Sequence, residues 1–249
     1  MKSIVCVKRV PDTETRIRIA GDQSSIESAG VKFVLNPYDE FAVEAALKHK
    51  EGAGAGDVTV LTVGTSESGE TLRTALAMGA DRAVLLRTDE RAEGLAVARA
   101  IAAEVGEQEY DLLLFGMKAI DDDLQAVGPM VAELLELPSA TVVTEFSIEG
   151  DKVIAHREIE GGSEIVELSR PCVITLTKGA YEPRYASLKG IMAAKKKPLE
   201  EKPAQVGESG TRVEKLSYPA ERQAGRIVGE GPDAVPELLR LLRQEAKVL

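Results

Sequence analysis

Short apolar runs rich in β-branched residues recur along this chain, and stretches with helical spacing of apolar residues separate most of them. Strands joined by amphipathic helices make right-handed crossovers, which build a parallel sheet with helices on both faces. The pattern therefore predicts an α/β fold, a doubly wound parallel sheet of the Rossmann-like type. The predicted strands are Ser3–Val7, Val58–Val63, Ala83–Leu86, Leu112–Phe115 and Cys172–Leu176.

Three apolar stripes at helical spacing follow the second, third and fourth of these strands. The first stripe contains Leu72, Ala75, Leu76 and Gly79, the second Leu95, Ala98, Ile101, Ala102 and Val105, and the third Leu124, Val127, Val131, Leu134 and Leu135.

Two segments interrupt the alternation of strands and helices. Residues 13–36 contain the alternating run RIRIA and the run VKFVLN, which predict an inserted β-hairpin or flap after the first strand. Residues 140–169 contain VIAHREI and EIVEL around Gly161–Gly162, which predict a second hairpin.

The composition changes beyond Gly179. Residues 181–203 are rich in Lys, Pro and Glu, and residues 204–234 show scattered Gly and Pro with little periodicity. An amphipathic helix is predicted over 235–247. A tail with so few core-forming residues needs a surface to lie on, either its own domain or a partner. We therefore expect an α/β domain over 1–180 and an extended C-terminal arm over 198–249.

Composition excludes several classes of function. The formal net charge is −10 and the pI is about 5.0, which argue against nucleic acid or an anionic membrane as a general partner. No apolar run approaches the length of a membrane span, and the first residues do not resemble a signal peptide, so we expect a cytoplasmic protein without membrane insertion. Cys6 and Cys172 lie in predicted strands and are expected to be buried free thiols. His49 is expected on a solvated helix face, and no Cys or His spacing predicts a metal site.

The strongest local signal is GMKAIDDDLQAVG, residues 116–128. It follows a predicted buried strand and precedes a helix, at the carboxyl edge where doubly wound folds bind ligands. Backbone N–H groups around Leu124–Val127 could hold a phosphate, and one of three aspartates could accept hydrogen bonds from a ribose. An acidic, capped helix start explains the same residues without a ligand. The glycines of Gly52–Gly56 precede a strand and are read as a loop.

A second signal is Asn36-Pro37-Tyr38-Asp39, which begins a predicted helix. Pro in the first turn after an Asn cap is ordinary at a helix N-terminus, so this motif alone does not require a ligand.

Together these segments resemble one family, the β subunits of electron transfer flavoproteins. The resemblance is in order and covers about the first 200 residues. The matching stretches are CVKRV (6–10), NPYDEFAVE (36–44), ETLRTALAMGADR (70–82), KAIDDD (118–123), REIEGG (157–162), and EPRYASL (182–188) leading into MAAKKK (192–197).

The resemblance implies a heterodimer with an α subunit that holds most of one FAD, and an AMP without redox role buried in the β subunit. It implies an electron carrier without substrate turnover of its own. Its electrons would come from flavin dehydrogenases such as acyl-CoA dehydrogenases and pass to a quinone-linked oxidoreductase. The AMP residues so implied are Cys6, Asn36, Pro37, Tyr38, Asp39, Val63, Gly116, Asp121, Asp122, Asp123, Leu124, Gln125, Ala126 and Val127.

The resemblance also implies two contact surfaces. Arg157 and Glu158 would face the α subunit and its flavin. Residues 181–197 would be a recognition loop that docks the dehydrogenase, with Leu188 as its apolar anchor. The implied partner-binding residues are Tyr185, Leu188, Ile191, Met192, Lys195 and Lys196.

Two departures leave alternatives open. Thr13 stands where relatives often have an aromatic residue near the flavin, and Pro11-Asp12-Thr13 is similar to flavin-bifurcating members, which hold a second FAD in place of AMP. Those members usually carry an acidic residue where this chain has Tyr38, which favours the AMP type. The other alternative is a stand-alone adenine-nucleotide binder of the stress-protein type, which would need neither the long tail nor the recognition loop.

Overall fold

The structure, a computed structural model, describes residues 1–89, 92–221 and 224–249. In chain order its strands are β1 (Lys2–Cys6), β2 (Arg9–Pro11), β3 (Phe33–Leu35), β4 (Asp57–Gly64), β5 (Arg82–Arg87), β6 (Leu112–Gly116), β7 (Ser139–Glu149), β8 (Lys152–Ile159), β9 (Gly162–Ser169), β10 (Cys172–Leu176) and β11 (Leu199–Pro203). The helices are α1 (Pro37–Gly52), α2 (Ser68–Met78), α3 (Gly94–Val105), α4 (Val127–Leu134), α5 (Leu188–Ala194) and α6 (Val235–Gln244).

Within the described residues, nine strands form one sheet in the order β11-β5-β4-β1-β6-β10-β7-β8-β9. The pairs from β11 to β7 are parallel, and β8 and β9 continue the sheet antiparallel. From β1 the chain first builds outward through β4 and β5, and then builds on the other side through β6 and β10. The sheet is therefore doubly wound, as predicted, and its topological switch point lies between β1 and β6.

A separate apolar core fills each face of the sheet. Val5 packs with Leu72 and Leu76 under α1 and α2. Ile4, the neighbour of Val5, points the other way and packs with Ile101 under α3 and α4. Successive residues of a buried strand contact opposite faces of the sheet, which is why the central strands β1, β4, β5, β6 and β10 are buried along most of their length.

The two predicted insertions are present. β2 pairs antiparallel with β3, and Ile19 bridges Ile26 farther out, so residues 9–35 form a flap after β1. β8 and β9 form the predicted hairpin, in which Gly161 has φ 78°, a left-handed conformation that glycine adopts without strain. The strand β7 was not among the predicted strands.

Two local predictions were wrong. Leu124 precedes α4 and is 45% exposed, and Leu134 at the end of α4 is 44% exposed, so neither belongs to the buried face of this helix. His49 is not solvated. Its ring stacks on Phe146 at a centroid distance of 4.1 Å, and its Nε2 lies 2.9 Å from Oη of Tyr181.

Beyond residue 180 the chain adds one more strand, β11, to the sheet, and the residues after β11 lie outside the sheet. β11 pairs with β5 as the edge strand. Residues 204–221 have no regular structure, and their contacts include Leu216 N–H donating to the Gln23 carbonyl of the flap at 2.6 Å. α6 follows a 3-10 turn at Pro232–Ala234. Among the described residues, no helix has both the length and the apolar character needed to cross a membrane.

Candidate nucleotide site and partner surfaces

The carboxyl ends of β4, β1 and β6 lie side by side at the topological switch point. Cys6 is in register with Leu61 of β4 and Phe115 of β6, so Val63 and Gly116 follow at the same edge. The predicted site residues of three distant segments therefore meet where doubly wound sheets form a ligand crevice.

Asp39 joins two of these strand ends. Its Oδ2 accepts a hydrogen bond from Lys8 N–H at 2.7 Å and its Oδ1 accepts one from Gly116 N–H at 3.1 Å. The side chain is 6% exposed. Burial raises the pKa of Asp39 to about 7, although the two backbone N–H groups favour the charged form. The carboxyl group of Asp39 thus connects the ends of β1 and β6 through two hydrogen bonds.

Asn36 holds the loop that follows β6. Its Nδ2 donates to the Lys118 carbonyl at 2.8 Å, and its Oδ1 accepts from Ile120 N–H at 3.2 Å. Its side chain makes no cap bond to α1, which differs from the helix-cap interpretation of the sequence. The motif therefore ties the start of α1 to residues 116–120.

Gly116 permits this close approach. A Cβ at residue 116 would lie 2.6 Å from the carbonyl carbon of Tyr38 and 2.7 Å from the backbone nitrogen of Asp39. Only glycine allows the first turn of α1 to pack against the end of β6.

Residues 121–127, the loop before α4 together with the first residue of that helix, are mostly exposed and have an unusual backbone. Asp123 and Gln125 have positive φ values of 52° and 50°, and Ala126 has φ −116°. Leu124 N–H donates to Asp122 Oδ1 at 3.2 Å, so this predicted phosphate donor is already occupied. In the described part of the chain, the N–H groups of Gln125, Ala126 and Val127 have no acceptor. A left-handed residue followed by a right-handed one, as at Gln125 and Ala126, is the backbone pattern of an anion-binding nest, in which successive N–H groups point to one side.

Two lysines compensate the three aspartates of this loop. Lys8 Nζ lies 2.8 Å from carboxylate oxygens of both Asp121 and Asp122, and Lys118 Nζ lies 2.9 Å from Asp123. Partial burial alone would lower the pKa of Lys8, but the two hydrogen bonds outweigh it and raise the pKa. Neither lysine was predicted from the sequence as a residue of this site. Lys8 directly follows the first predicted strand, and this position alone could have indicated that it lies at the carboxyl edge of the sheet with the aspartates.

The remaining nucleotide candidates lie around this edge. Cys6 is 6% exposed and packs into the core under α3 and α4, where burial, and then the Asp39 charge, raise the pKa of its thiol. Cys6 and Cys172 are both buried and free, as expected. Pro37 is the first residue of α1. Tyr38 is half-buried, with Lys118 Nζ 5.7 Å from its ring centroid.

Arg157 and Glu158 lie on β8, away from the nucleotide candidates along the sheet. Arg157 is tied to its own hairpin, because Nε donates to the Thr141 carbonyl at 2.9 Å and Nη1 pairs with Glu164 at 2.7 Å. Glu158 is exposed on the same strand.

Residues 181–197 present apolar side chains to solvent. Tyr185 is 97% exposed, Leu188 83% and Met192 72%, and Ile191 on the same helix α5 is 45% exposed. Lys195 and Lys196 are also exposed. Four large apolar side chains are thus exposed within eight residues, a composition that is unusual on a free surface and typical of protein contacts. We call these four residues the apolar patch.

Charged side chains fix this segment to α1 and α2. Arg184 binds two carboxylates of α1, those of Glu44 and Glu51. Lys197 Nζ donates to the carbonyls of Leu76 and Ala80 at the end of α2. Lys197 is therefore a structural residue, whereas Lys195 and Lys196 are exposed. Sequence reasoning missed Arg184, because its partners are more than 130 positions away.

Comparisons with known proteins agree with this architecture. The family model described as electron transfer flavoprotein domain matches residues 24–206. The chain is 43% identical to an electron transfer flavoprotein subunit beta of Bradyrhizobium diazoefficiens, with all of both chains covered. The Bacillus subtilis protein of that name is 38% identical with full coverage of both, and the human one 39% identical with 98% of each covered. The chain therefore belongs to the electron transfer flavoprotein family, as a β subunit with a role in electron transfer.

Proposed function

We propose that this chain pairs with an electron transfer flavoprotein α subunit, binds AMP, and helps to hold the FAD of that subunit. The heterodimer accepts electrons from flavin dehydrogenases, such as acyl-CoA dehydrogenases, and passes them to a quinone-linked oxidoreductase. In this account the β subunit is a carrier component without substrate turnover of its own, and it works in the cytoplasm. The observation that supports it most is the meeting of Asn36, Asp39 and the 121–127 nest at the switch point.

The proposed AMP lies along the carboxyl edge of β4, β1 and β6. Its phosphate accepts hydrogen bonds from the N–H groups of Gln125, Ala126 and Val127, aided by the positive end of the α4 dipole. Asp121 and Asp122 already share Lys8, which reduces their repulsion of a phosphate. Tyr38 and Val63 are half-buried at this edge and offer apolar surface to the adenosine.

The proposed flavin contact is the β8–β9 hairpin. When bound, the FAD supplies the electron-carrying group. Arg157 is held by Thr141 and Glu164, so its charge is oriented before any partner arrives. A fixed guanidinium stabilises negative charge on a reduced flavin, and Glu158 is exposed for an ion pair across the interface.

The proposed recognition loop is residues 181–197. A carrier that serves several donors must dock briefly, and a small apolar patch suits a brief contact better than a large interface. Leu188 projects between the polar residues Ser187 and Lys189, both exposed. Lys189, Lys195 and Lys196 favour an acidic partner surface, and this attraction should weaken with salt.

Anaerobic rapid mixing tests the proposal. A flavin dehydrogenase reduced by its substrate is mixed with the purified heterodimer, and the absorbance of the heterodimer flavin is followed. We expect this flavin to be reduced and then reoxidised when the quinone-linked oxidoreductase is added. Arg157→Ala should slow the reduction while leaving AMP bound. Flavin that no dehydrogenase reduces, but a reduced nicotinamide does, would instead support the bifurcating alternative.

A further inference from the structure

Arg184 makes a double carboxylate clamp at the start of the apolar patch. Its Nε and Nη2 donate to the two oxygens of Glu44 at 2.7 and 3.0 Å. Its Nη1 and Nη2 donate to the two oxygens of Glu51 at 2.6 and 3.1 Å. Glu44 and Glu51 lie two helical turns apart on α1, so one guanidinium bridges both turns.

The buried carboxylate of Glu44 determines where Arg184 must lie. It is 3% exposed, and in the described residues Arg184 is its ion-pair partner. A buried carboxylate without a counter-ion is strongly unfavourable, so the position of Arg184 is strictly constrained. The backbone N–H of Arg184 also donates to Glu44 Oε2, at 3.3 Å, which fixes the main chain directly before Tyr185.

The far end of the segment is fixed to α2. Arg73 donates from Nη1 to the carbonyls of Ala194 at 2.5 Å and Lys197 at 2.8 Å. Gly190, inside α5, packs against the carbonyl oxygen of Ala77, where a Cβ would not fit. Ser187 Oγ accepts Gly190 N–H at 3.0 Å and caps α5. The backbone of the apolar patch is therefore held at both ends and in the middle.

We propose that Arg184 is a positioning residue for docking: its clamp on α1 holds the apolar patch in the conformation that the dehydrogenase binds. This inference rests on the proposed recognition role of residues 181–197. A short apolar patch that is ordered before contact loses little conformational entropy on binding, which strengthens a small interface. Arg184 is needed rather than Lys because its planar fork serves two carboxylates at once, whereas an ammonium is a single point charge.

Variants of the co-expressed heterodimer test this inference. The set is Arg184→Lys, Leu188→Ala and the double variant, with Arg82→Lys as the matched control. Arg82 pairs with Asp57 at 3.2 Å, a contact between partly exposed side chains at the amino ends of β5 and β4 that involves no residue of the apolar patch. The measured quantities are KM of a flavin dehydrogenase for the heterodimer and kcat, together with flavin and nucleotide content and hydrogen exchange over residues 185–192.

We expect Arg184→Lys to raise KM about tenfold, the size of a moderate coupling between neighbours, with kcat and cofactor content unchanged. Exchange over residues 185–192 should increase in this variant. Because Arg184 acts through the apolar patch, the double variant should bind no more weakly than Leu188→Ala alone. Arg82→Lys should behave as the wild type.

The outcomes separate the two proposals. If Leu188→Ala leaves KM unchanged, the recognition role of this segment is wrong. If Leu188→Ala raises KM but Arg184→Lys does not, or if the two effects simply add, the positioning role of Arg184 is wrong and docking at Leu188 stands. Should Arg184→Lys prevent folding, Glu51→Gln removes only the exposed carboxylate of the clamp. It should raise KM about threefold at an unchanged Tm, and an unchanged KM would overturn the inference.

Discussion

At the scale of single residues, several polar side chains of this chain act on the backbone rather than on solvent. Asp39 joins the ends of β1 and β6, Asn36 holds the loop after β6, and Lys197 covers carbonyls of α2. Each satisfies backbone groups that would otherwise be buried without partners. The side chains of Asn36 and Asp39 are therefore structural, because their hydrogen bonds arrange the backbone at this edge of the sheet.

The buried carboxyl of Asp39 predicts a specific pH dependence. The pKa is about 7 in the fold and near 3.8 in an unfolded chain, so between these values the folded state keeps a proton that the unfolded chain releases. The contribution of Asp39 to stability is thus fully present below about pH 4 and is lost as pH rises through 7. Asp39→Asn should therefore flatten the pH dependence of Tm in this range. The pH-dependent part of the free energy of unfolding that this variant removes is at most about 4 kcal/mol.

The measurement is Tm of the heterodimer from pH 4.5 to 7.5. Asp151→Asn, at an exposed carboxylate in the β7–β8 turn, is the control and should leave the profile of the wild type unchanged. An identical profile for Asp39→Asn and the wild type would mean that Asp39 is ionised throughout.

At the scale of elements, sequence patterns predicted the parts whose residues carry their own signal. The strands β1, β4, β5, β6 and β10 are rich in apolar residues, and each was predicted within one residue of its bounds. β7 was not predicted because it pairs with two different strands along its length, so that its apolar residues show no single alternation. Its first half pairs with β10 and its second with β8, and Val142 between them has φ 58°, which interrupts the alternation. β11 was missed because Leu199 is its sole large apolar residue, as is common in charged edge strands.

The candidate site divides in the same way. The glycine-flanked aspartate loop and Asn36–Asp39 were visible because they lie next to predicted strands and helices. The partners Lys8 and Lys118, and the clamp from Arg184 to Glu44, depend on contacts between segments far apart in sequence. No local pattern reports such contacts before the sheet order is known.

The 121–127 loop predicts a matched pair of variants. Ala126→Pro removes one free N–H donor and should weaken nucleotide retention during purification by about tenfold, the size of a lost hydrogen bond to a charged group. Gln125→Gly keeps its donor and tolerates φ 50°, so it should retain the nucleotide normally. Nucleotide content measured after gel filtration checks both. Equal retention in the two variants would show that the phosphate does not use this nest.

At the scale of the whole molecule, the chain carries apolar surface that its own fold does not cover. α6 exposes Val235, Leu238 and Leu239, and the four residues of the apolar patch are exposed as well. An amphipathic helix with an exposed apolar face is stable only when a second surface covers it. Because β11 belongs to this chain's own sheet, we propose that only the part of the arm that follows it, residues 204–249, lies on the α subunit.

This arm predicts dependence on the partner subunit. Expressed alone, the β chain should aggregate or lose α6, because its apolar face stays in water. Compared with the β chain alone, the heterodimer should show hydrogen exchange over residues 235–244 that is at least tenfold slower. Exchange in β1 and β6 should change little between the two states. A monodisperse lone subunit with the same protection in α6 would show that the helix does not depend on the α subunit.

The central claim is that this β subunit holds AMP beside a single flavin. The most direct measurement is to denature the co-purified heterodimer and quantify the released nucleotides by chromatography. We expect one FAD and one AMP for each heterodimer. Two FAD molecules without AMP would contradict it in favour of a bifurcating subunit, and a flavin-free assembly of this chain alone would contradict the electron-carrier role itself.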